Sequence, residues 1–201
     1  MKDSFITIER QEIFEQTISR SRFLGRVCRI SSEDEARGFI REIREEYRDA
    51  THHCCAYVQG LDGEHEFADD NGEPSGTAGR PILGALRSAG LTNVCLVVIR
   101  YYGGKKLGVR GLIEAYGSTA SRLLELCGSR EETLNRQFAL RMAYPEVNRV
   151  LYLMEQNGAR VLEKNFGETV WIRASVRARD FAVLEELLSP WGEFLDEGSD
   201  S

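Results

Sequence analysis

The sequence has no long apolar run, no secretory leader pattern and few lysines. Its longest uninterrupted apolar stretch is Val94–Ile99, far short of the roughly 20 residues that a helix needs to cross a bilayer. Charged residues already occupy positions 2, 3, 9 and 10, so the start of the chain has no apolar signal-peptide core, and no N-x-S/T glycosylation acceptor occurs. We therefore expect a soluble protein of the cytoplasm.

The sequence also lacks a disulfide pattern and a clear metal motif. Its five cysteines, an odd number at irregular spacing, are typical of free thiols in a reducing compartment. His52–Cys55 has the residue types of zinc ligands, but side chains of a strand alternate between faces and no second pair lies at ligand spacing. Asp69, Asp70 and Glu73 could hold Mg²⁺ beside a phosphate or simply be solvated. We expect no metal and no cofactor.

Composition and charge indicate a globular chain with local charge clusters. The 201 residues are 42% hydrophobic and 29% charged, which suits one large domain or two small ones. The net charge of -6 argues against a generally polyanion-coated surface. Basic residues nevertheless cluster without an acid over residues 100–110, and acidic residues cluster over residues 62–73. Any polyanion would therefore bind at one restricted face.

Hydrophobic periodicity divides the chain into two α+β units. Residues 13–30 predict two strands, and the stripe from Ala36 to Tyr47 predicts a helix with a capping box at Ser32 and Glu35. Short strands follow at Cys54–Val58 and His65–Ala68. Two glycine-rich stretches then flank the strand VCLVVI, and each runs from a loop into a helix.

The remainder predicts a smaller unit in the order β-α-β-β-α with a final strand near residues 191–195. This is the ferredoxin-like pattern. Alternating apolar residues over 138–144 and 170–177 predict strands, and residues 145–158 and 181–188 predict helices. We expect domains at residues 1–131 and 132–196, followed by a disordered acidic tail at 197–201.

The first glycine-rich stretch, GEPSGTAGRPILGAL, predicts an anion site or only a turn. Small residues lead directly into a helix that has Pro81 in its first turn, so several backbone N–H groups should point outward. Ser75 or Thr77 could cap this helix or bind a phosphate, and Arg80 could add a charge-assisted hydrogen bond.

The second stretch, RYYGGKKLGVRGLIEAYG, is the stronger signal for nucleic acid. It combines adjacent aromatic residues, a Gly-Gly pair and four cations ahead of a helix, as base stacking and phosphate neutralisation require. Alternatively, Tyr101 continues the strand into the core while Lys105 and Lys106 keep a loop solvated.

Four segments together resemble the YigZ/Impact family: THHCCAYVQG, DNGEPSGTAGRPIL, LTNVCLVVIRYYGGKKLG and GLIEAYG. The resemblance covers about residues 15–125, and the chain from Arg136 onward is similar to the C-terminal domain of bacterial members. It implies a two-layer α/β sandwich of the ribosomal-protein and GHMP-kinase type, then a domain like the last one of elongation factor G. Eukaryotic Impact regulates translation initiation under amino-acid starvation by binding an activator of a kinase.

The resemblance also places the family's signature loops within residues 70–79 and 100–108. The predicted ligand-binding residues lie in these loops or are the neighbouring cations Arg80, Lys105 and Arg110. Some positions differ from the family pattern, since Asn71 replaces an Asp, Glu114 replaces a basic residue, and VRG at 109–111 replaces AGG, while Lys105 adds a cation. The predicted ligand-binding residues are Asp70, Glu73, Ser75, Gly76, Thr77, Gly79, Arg80, Arg100, Tyr102, Gly103, Gly104, Lys105, Lys106 and Arg110.

The function expected from these observations is non-enzymatic binding to RNA or the ribosome, linked to regulation of translation. This requires both glycine-rich stretches to converge into one positively biased pocket. A first alternative is a protein-interaction module that competes for a partner in translation control. A second is a phosphotransferase or hydrolase using Ser75, Thr77 and Glu73, suggested only by analogy with GHMP kinases. The nucleophile elbow G-x-S-x-G is absent.

Overall fold

The structure, a computed structural model, describes residues 3–195 and separates them into two compact units. One unit comprises residues 5–132, and the other comprises residues 3–4 with 133–195. The acidic tail predicted at residues 197–201 lies outside the described residues. Within residues 3–195, no helix combines the length and apolarity that crossing a bilayer requires.

Eleven strands and five α-helices form the described chain. In order they are β1 (Ser4–Ile8), β2 (Ile13–Ile18), β3 (Ser21–Arg29), α1 (Glu33–Glu46), β4 (His52–Gln59), β5 (His65–Asp69), α2 (Gly79–Ser88), β6 (Val94–Tyr101), α3 (Gly108–Cys127), β7 (Ser129–Thr133), β8 (Asn135–Met142), α4 (Val147–Gln156), β9 (Arg160–Phe166), β10 (Val170–Arg177), α5 (Phe181–Leu188) and β11 (Glu193–Leu195). The sequence reasoning missed β1 and β7, which pair in a two-stranded sheet.

The larger unit is built on an antiparallel five-stranded sheet that is buried on both faces. The strand order is β2-β3-β6-β4-β5. On β6, Leu96 and Val98 pack with α2 and α3, whereas Val97 and Ile99 pack with α1. The prediction of a two-layer sandwich is therefore wrong, because α1 adds a third layer. The unbroken apolar run of β6 is typical of a strand covered on both faces.

Helix α1 begins at the predicted capping motif. The Ser32 hydroxyl accepts a hydrogen bond from the backbone N–H of Glu35 at 3.2 Å. The Glu35 carboxylate reaches back to the backbone N–H of Ser31, one residue earlier than the standard capping box. These reciprocal bonds satisfy donors that the first helical turn leaves unpaired. Beyond this start, the apolar side chains of α1 pack against β4 and β6 on one face of the sheet.

The smaller unit has the order β8-α4-β9-β10-α5-β11, which includes the β-α-β-β-α order and final strand predicted from the sequence. Its four-stranded antiparallel sheet has the order β11-β8-β10-β9. Alternate residues of β8 and β10, such as Leu140 and Ile172, are fully buried against Val150 of α4 and Leu184 of α5. The protein is thus a mixed α/β protein with two units.

Candidate functional site

In the first glycine-rich stretch, Asp70 fills the cluster of backbone amides at the start of α2. Its carboxylate accepts hydrogen bonds from the N–H groups of Gly76 at 2.7 Å, Ala78 at 3.0 Å and Gly79 at 2.8 Å. The stretch therefore carries its own anion at the place where sequence reasoning expected an external one. Helix capping, which was expected from Ser75 or Thr77, comes from Asp70 instead. A phosphate has no access to these three donors while Asp70 holds them.

The environment of Asp70 favours its ionised form. Partial burial raises the pKa of the carboxyl, but the three amide hydrogen bonds and the nearby Arg80 guanidinium outweigh it and leave the pKa below its ordinary value. The Thr77 hydroxyl points inward and donates to the carbonyl of Pro74 at 2.6 Å. Ser75 and Arg80 are exposed. They are the polar side chains that this stretch presents to solvent beside Asp70.

Glu73 joins the two glycine-rich stretches in the protein interior. Its carboxylate oxygen Oε1 lies 2.5 Å from Nη1 of Arg100 and accepts a hydrogen bond from the Tyr116 hydroxyl at 2.8 Å. The side chains of Glu73 and Arg100 are only 4% and 6% exposed. The two stretches are therefore in contact, but Glu73 and Arg100 neutralise each other in a buried ion pair. Neither side chain is open to an external ligand.

The rest of the Arg100 environment is also enclosed. Its guanidinium lies 5.5 Å from the ring centre of Phe23 and 5.4 Å from that of Tyr102, and its Nη2 donates to the Ser21 hydroxyl at 3.3 Å. Nε of Arg100 is buried without a hydrogen-bond partner among the described residues. Tyr102 is 46% exposed. One ring of this stretch thus faces solvent with a buried cation behind it.

Burial keeps Tyr116 and the nearby thiols neutral. Burial first, then the Cys54 thiol and the Glu73 carboxylate, raises the pKa of Tyr116 far above its ordinary value, so it remains a hydrogen-bond donor. Burial likewise raises the pKa of Cys54 strongly, and it raises that of Cys55 to about 12. Neither cysteine has the thiolate character of a nucleophile at neutral pH.

The two adjacent histidines are held by backbone carbonyl groups. Nδ1 of His52 lies 2.8 Å from the carbonyl oxygen of Asn71, and Nε2 of His53 lies 2.9 Å from that of Tyr47. Nε2 of His52 is 3.9 Å from the Glu73 carboxylate. Between residues 3 and 195, no group of three or more His, Cys, Asp or Glu side chains is arranged to hold a metal ion.

The second glycine-rich stretch is placed by the turn between β2 and β3. Ser19 and Arg20 form this turn, and both have positive φ angles, 48° and 71°. A Cβ atom on Gly103 would lie 1.9 Å from the carbonyl oxygen of Arg20, so only glycine permits this approach. Gly104, with φ of 81°, then turns the chain toward Lys105. The close approach brings the turn and the lysines to the same place.

A cavity of about 520 Å³ opens beside these lysines at the start of α3. Lys105 and Lys106 line it together with Ser19 of the turn and Glu114 of α3. No residue of the 70–80 segment lines this cavity. Arg110 is exposed, but its guanidinium is bound to Glu114 at 2.9 Å. The cationic cavity and the Asp70 loop are therefore separate features. The two glycine-rich stretches do not form the single positively biased pocket that the sequence led us to expect, and the second stretch alone carries the cavity with exposed lysines.

Most of the predicted site residues thus fall into three groups. Asp70, Gly76 and Gly79 form a self-capped loop, and Glu73 and Arg100 form a buried ion pair. The exposed cationic group consists of Lys105, Lys106 and Arg110, with Tyr102, Gly103 and Gly104 before it in the chain. Sequence reasoning missed Ser19 and Arg20, because this two-residue hairpin turn lacks the Asn-Gly or other glycine-containing pair that usually indicates one.

Comparison with known proteins assigns both units. The Impact N-terminal domain matches residues 19–124, which include both glycine-rich stretches. A domain of unknown function, DUF1949, matches residues 140–190. The first match lies within the larger unit. The chain belongs to the Impact family, as the sequence motifs predicted.

Bacterial relatives span nearly the same length. The chain is 35% identical over 189 residues to "IMPACT family member YvyE" of Bacillus subtilis, covering 94% of this chain and 87% of the relative. It is 32% identical over 177 residues to "IMPACT family member YigZ" of Escherichia coli, covering 87% and 86%. A solved structure, "Crystal structure of an hypothetical protein", is 27% identical, with a TM-score of 0.71 and full coverage of both chains.

Proposed function

We propose that this protein is a non-enzymatic, cytoplasmic, nucleic-acid-binding protein that contacts RNA or the ribosome and takes part in regulation of translation. The contact surface is the cationic mouth, which we define as Arg20, Lys105 and Lys106. We further propose that the larger unit is related to the ribosomal-protein and GHMP-kinase type with an added helical layer. The smaller unit is proposed to be ferredoxin-like, because its sheet order fits that topology.

The lack of acidic partners at the cationic mouth supports this proposal most directly. Within residues 3–195, Arg20, Lys105 and Lys106 form no ion pair, whereas most other cations of the larger unit are bound to a carboxylate. Unpaired cations keep their full charge available for phosphate groups, and binding there releases counterions. The acidic remainder of the chain repels polyanions elsewhere.

Tyr102 adds a stacking surface close in the chain to the cationic mouth. Tyr102 is 46% exposed, and its ring centre lies 5.4 Å from the buried Arg100 guanidinium. Aromatic rings of this kind stack on bases of single-stranded nucleic acid with little sequence preference, at about 1–3 kcal/mol per base. The arrangement therefore favours single-stranded or looped RNA over a fully paired duplex.

The test is RNA binding by a matched pair of double variants. Lys105→Ala/Lys106→Ala should weaken binding of a labelled single-stranded 20-mer RNA and lower the slope of log K against log salt by about 1.4, since each lost phosphate contact accounts for about 0.7. At about 0.1 M salt this corresponds to a loss of about 25-fold. Fluorescence anisotropy across a salt series measures both quantities.

The control is Arg48→Ala/Lys164→Ala, which changes the net charge equally. These cations also form no ion pair in the described part of the chain, but they lie in the turn that follows α1 and on β9. Their loss should leave the salt slope nearly unchanged. Equal losses in both double variants, or no RNA binding by the unaltered protein, would refute the proposal.

A further inference from the structure

A second cavity, of about 380 Å³, lies on the opposite face of the five-stranded sheet between α1 and the edge strand β5. We call it the α1–β5 pocket and define it by Arg37, Arg41, Arg44, Cys55, Tyr57, Phe67 and Asp69, which are among its lining residues. Its volume falls in the range of pockets that hold small molecules. It contains none of the residues of the cationic mouth.

The floor of the α1–β5 pocket is apolar and aromatic. Tyr57 and Phe67 are cross-strand partners on β4 and β5, with ring centres 5.3 Å apart and planes inclined by 17°. Phe67 remains 42% exposed despite this stacking. Cys55 beneath them is fully buried, and burial, followed by the Asp69 charge, raises its pKa to about 12. The floor therefore carries no charge and leaves aromatic surface open.

One wall of the pocket consists of three arginines at helical spacing on α1. Arg37 is bound to Glu33, and Nη2 of Arg44 lies 2.9 Å from the Asp69 carboxylate. Arg41, between them along the helix, has no ion-pair partner among residues 3–195. The pocket thus has one guanidinium whose charge is uncompensated beside an open aromatic surface.

Both ends of the pocket are bridged by contacts between α1 and the sheet. At one end Arg44 binds Asp69, the last residue of β5. At the other end Glu33, the first residue of α1, accepts a hydrogen bond from the Tyr57 hydroxyl at 3.1 Å, and Nδ1 of His65 is 3.9 Å from it. A five-residue strand spans about 17 Å. The space between the bridges suits a compact ligand better than a continuous peptide.

We infer that the α1–β5 pocket binds a small planar aromatic anion, with its ring against the Tyr57–Phe67 pair and its anionic group on Arg41. Ring stacking supplies contact with the open face of the aromatic pair. A carboxylate or phosphate matches the guanidinium fork and forms charge-assisted hydrogen bonds with it. An aromatic cation would face the uncompensated Arg41 guanidinium and be repelled. The site is independent of the RNA surface proposed above.

The experiment measures binding of defined probes to the full-length protein. The aromatic anion is 2-naphthoate, the matched aromatic cation is 2-naphthylmethylammonium, and AMP presents the same chemistry as a nucleotide. Titrations followed by NMR should show saturable shifts of the Phe67 and Tyr57 ring signals with 2-naphthoate or AMP and none with the cation. The tighter of the two anions indicates whether the natural ligand is a carboxylate or a nucleotide.

Variants locate the binding. Arg41→Gln should weaken binding of the anion about tenfold, the loss expected for one charge-assisted hydrogen bond. The control Arg48→Gln removes an exposed arginine outside the pocket, and Lys105→Ala/Lys106→Ala removes the cationic mouth; both should bind as the unaltered protein does. Absence of saturable binding by either anion, equal binding of the cation, or an unchanged affinity in Arg41→Gln would overturn the inference.

Discussion

Substitution of Glu73 by Gln tests whether the buried ion pair joins the two glycine-rich stretches. The change keeps the shape of the side chain but removes the charge that compensates Arg100, whose side chain is 6% exposed. The amide oxygen of Gln can still accept one hydrogen bond from Arg100 or Tyr116. The variant therefore isolates the loss of charge from a loss of packing volume.

The expected loss of unfolding free energy is about 2–4 kcal/mol. Removing one partner of a buried ion pair costs about 3–5 kcal/mol because the other charge stays uncompensated in the interior. The hydrogen bond that Gln retains offsets part of this cost. With a urea slope of about 2 kcal/mol/M, the unfolding midpoint of the larger unit should fall by about 1–2 M.

The two units can be followed separately because the only tryptophans, Trp171 and Trp191, lie in the smaller unit. Tryptophan fluorescence therefore reports the unfolding of the smaller unit. Amide hydrogen exchange along β4 and β6 reports that of the larger unit. Glu73→Gln should lower the protection of β4 and β6 and leave the fluorescence transition in place.

A double variant separates charge compensation from packing. Glu73→Gln/Arg100→Met removes both charges, so its loss of stability should be smaller than the sum of the losses in the two single variants. Additive losses would show that the two side chains do not compensate each other. An unchanged unfolding midpoint of the larger unit in Glu73→Gln would contradict the buried ion pair itself.

Three other predictions follow from the same geometry. Asp70→Asn should cost about 1–2 kcal/mol through loss of the charged helix cap. Partial burial raises the pKa of Asp70, but the amide hydrogen bonds lower it further, so the pKa in the folded protein lies below the ordinary value of an aspartate. The stability that the ionised carboxylate contributes is therefore fully present above that ordinary pKa and is lost as the pH falls through the lower pKa of the folded state. In urea titrations the Asn variant should show less acid sensitivity. Gly103→Ala should destabilise the larger unit and weaken RNA binding, because its Cβ meets Arg20, whereas Gly84→Ala, with open space around it, should not; a benign Gly103→Ala would contradict the close approach. All five cysteines are buried, so a thiol reagent should label the native protein slowly and the guanidinium-unfolded protein at once, and rapid native labelling would show that the thiols are open.

The sequence by itself determined most helices and strands. The second glycine-rich stretch, which runs from a loop into a helix, predicted α3, and the alternating apolar residues over 138–144 predicted β8, because both patterns are local in the sequence. The sequence motifs also determined family membership. The third layer could have been predicted from the sequence, since the unbroken apolar run from Val94 to Ile99 in β6 indicates burial on both faces of the sheet.

Only the tertiary structure decided which charges remain available to a ligand. The residues that neutralise one another are distant in sequence, as Glu73 and Arg100 are, or meet through a folded loop, as the Asp70 carboxylate meets the Gly79 amide. Residue types and spacing identify such groups as candidates but do not state their partners, because the partner is set by packing between elements. For that reason the sequence predicted both Arg100 and Lys105 as ligand-binding residues, whereas in the folded protein Arg100 is buried and Lys105 is exposed to solvent.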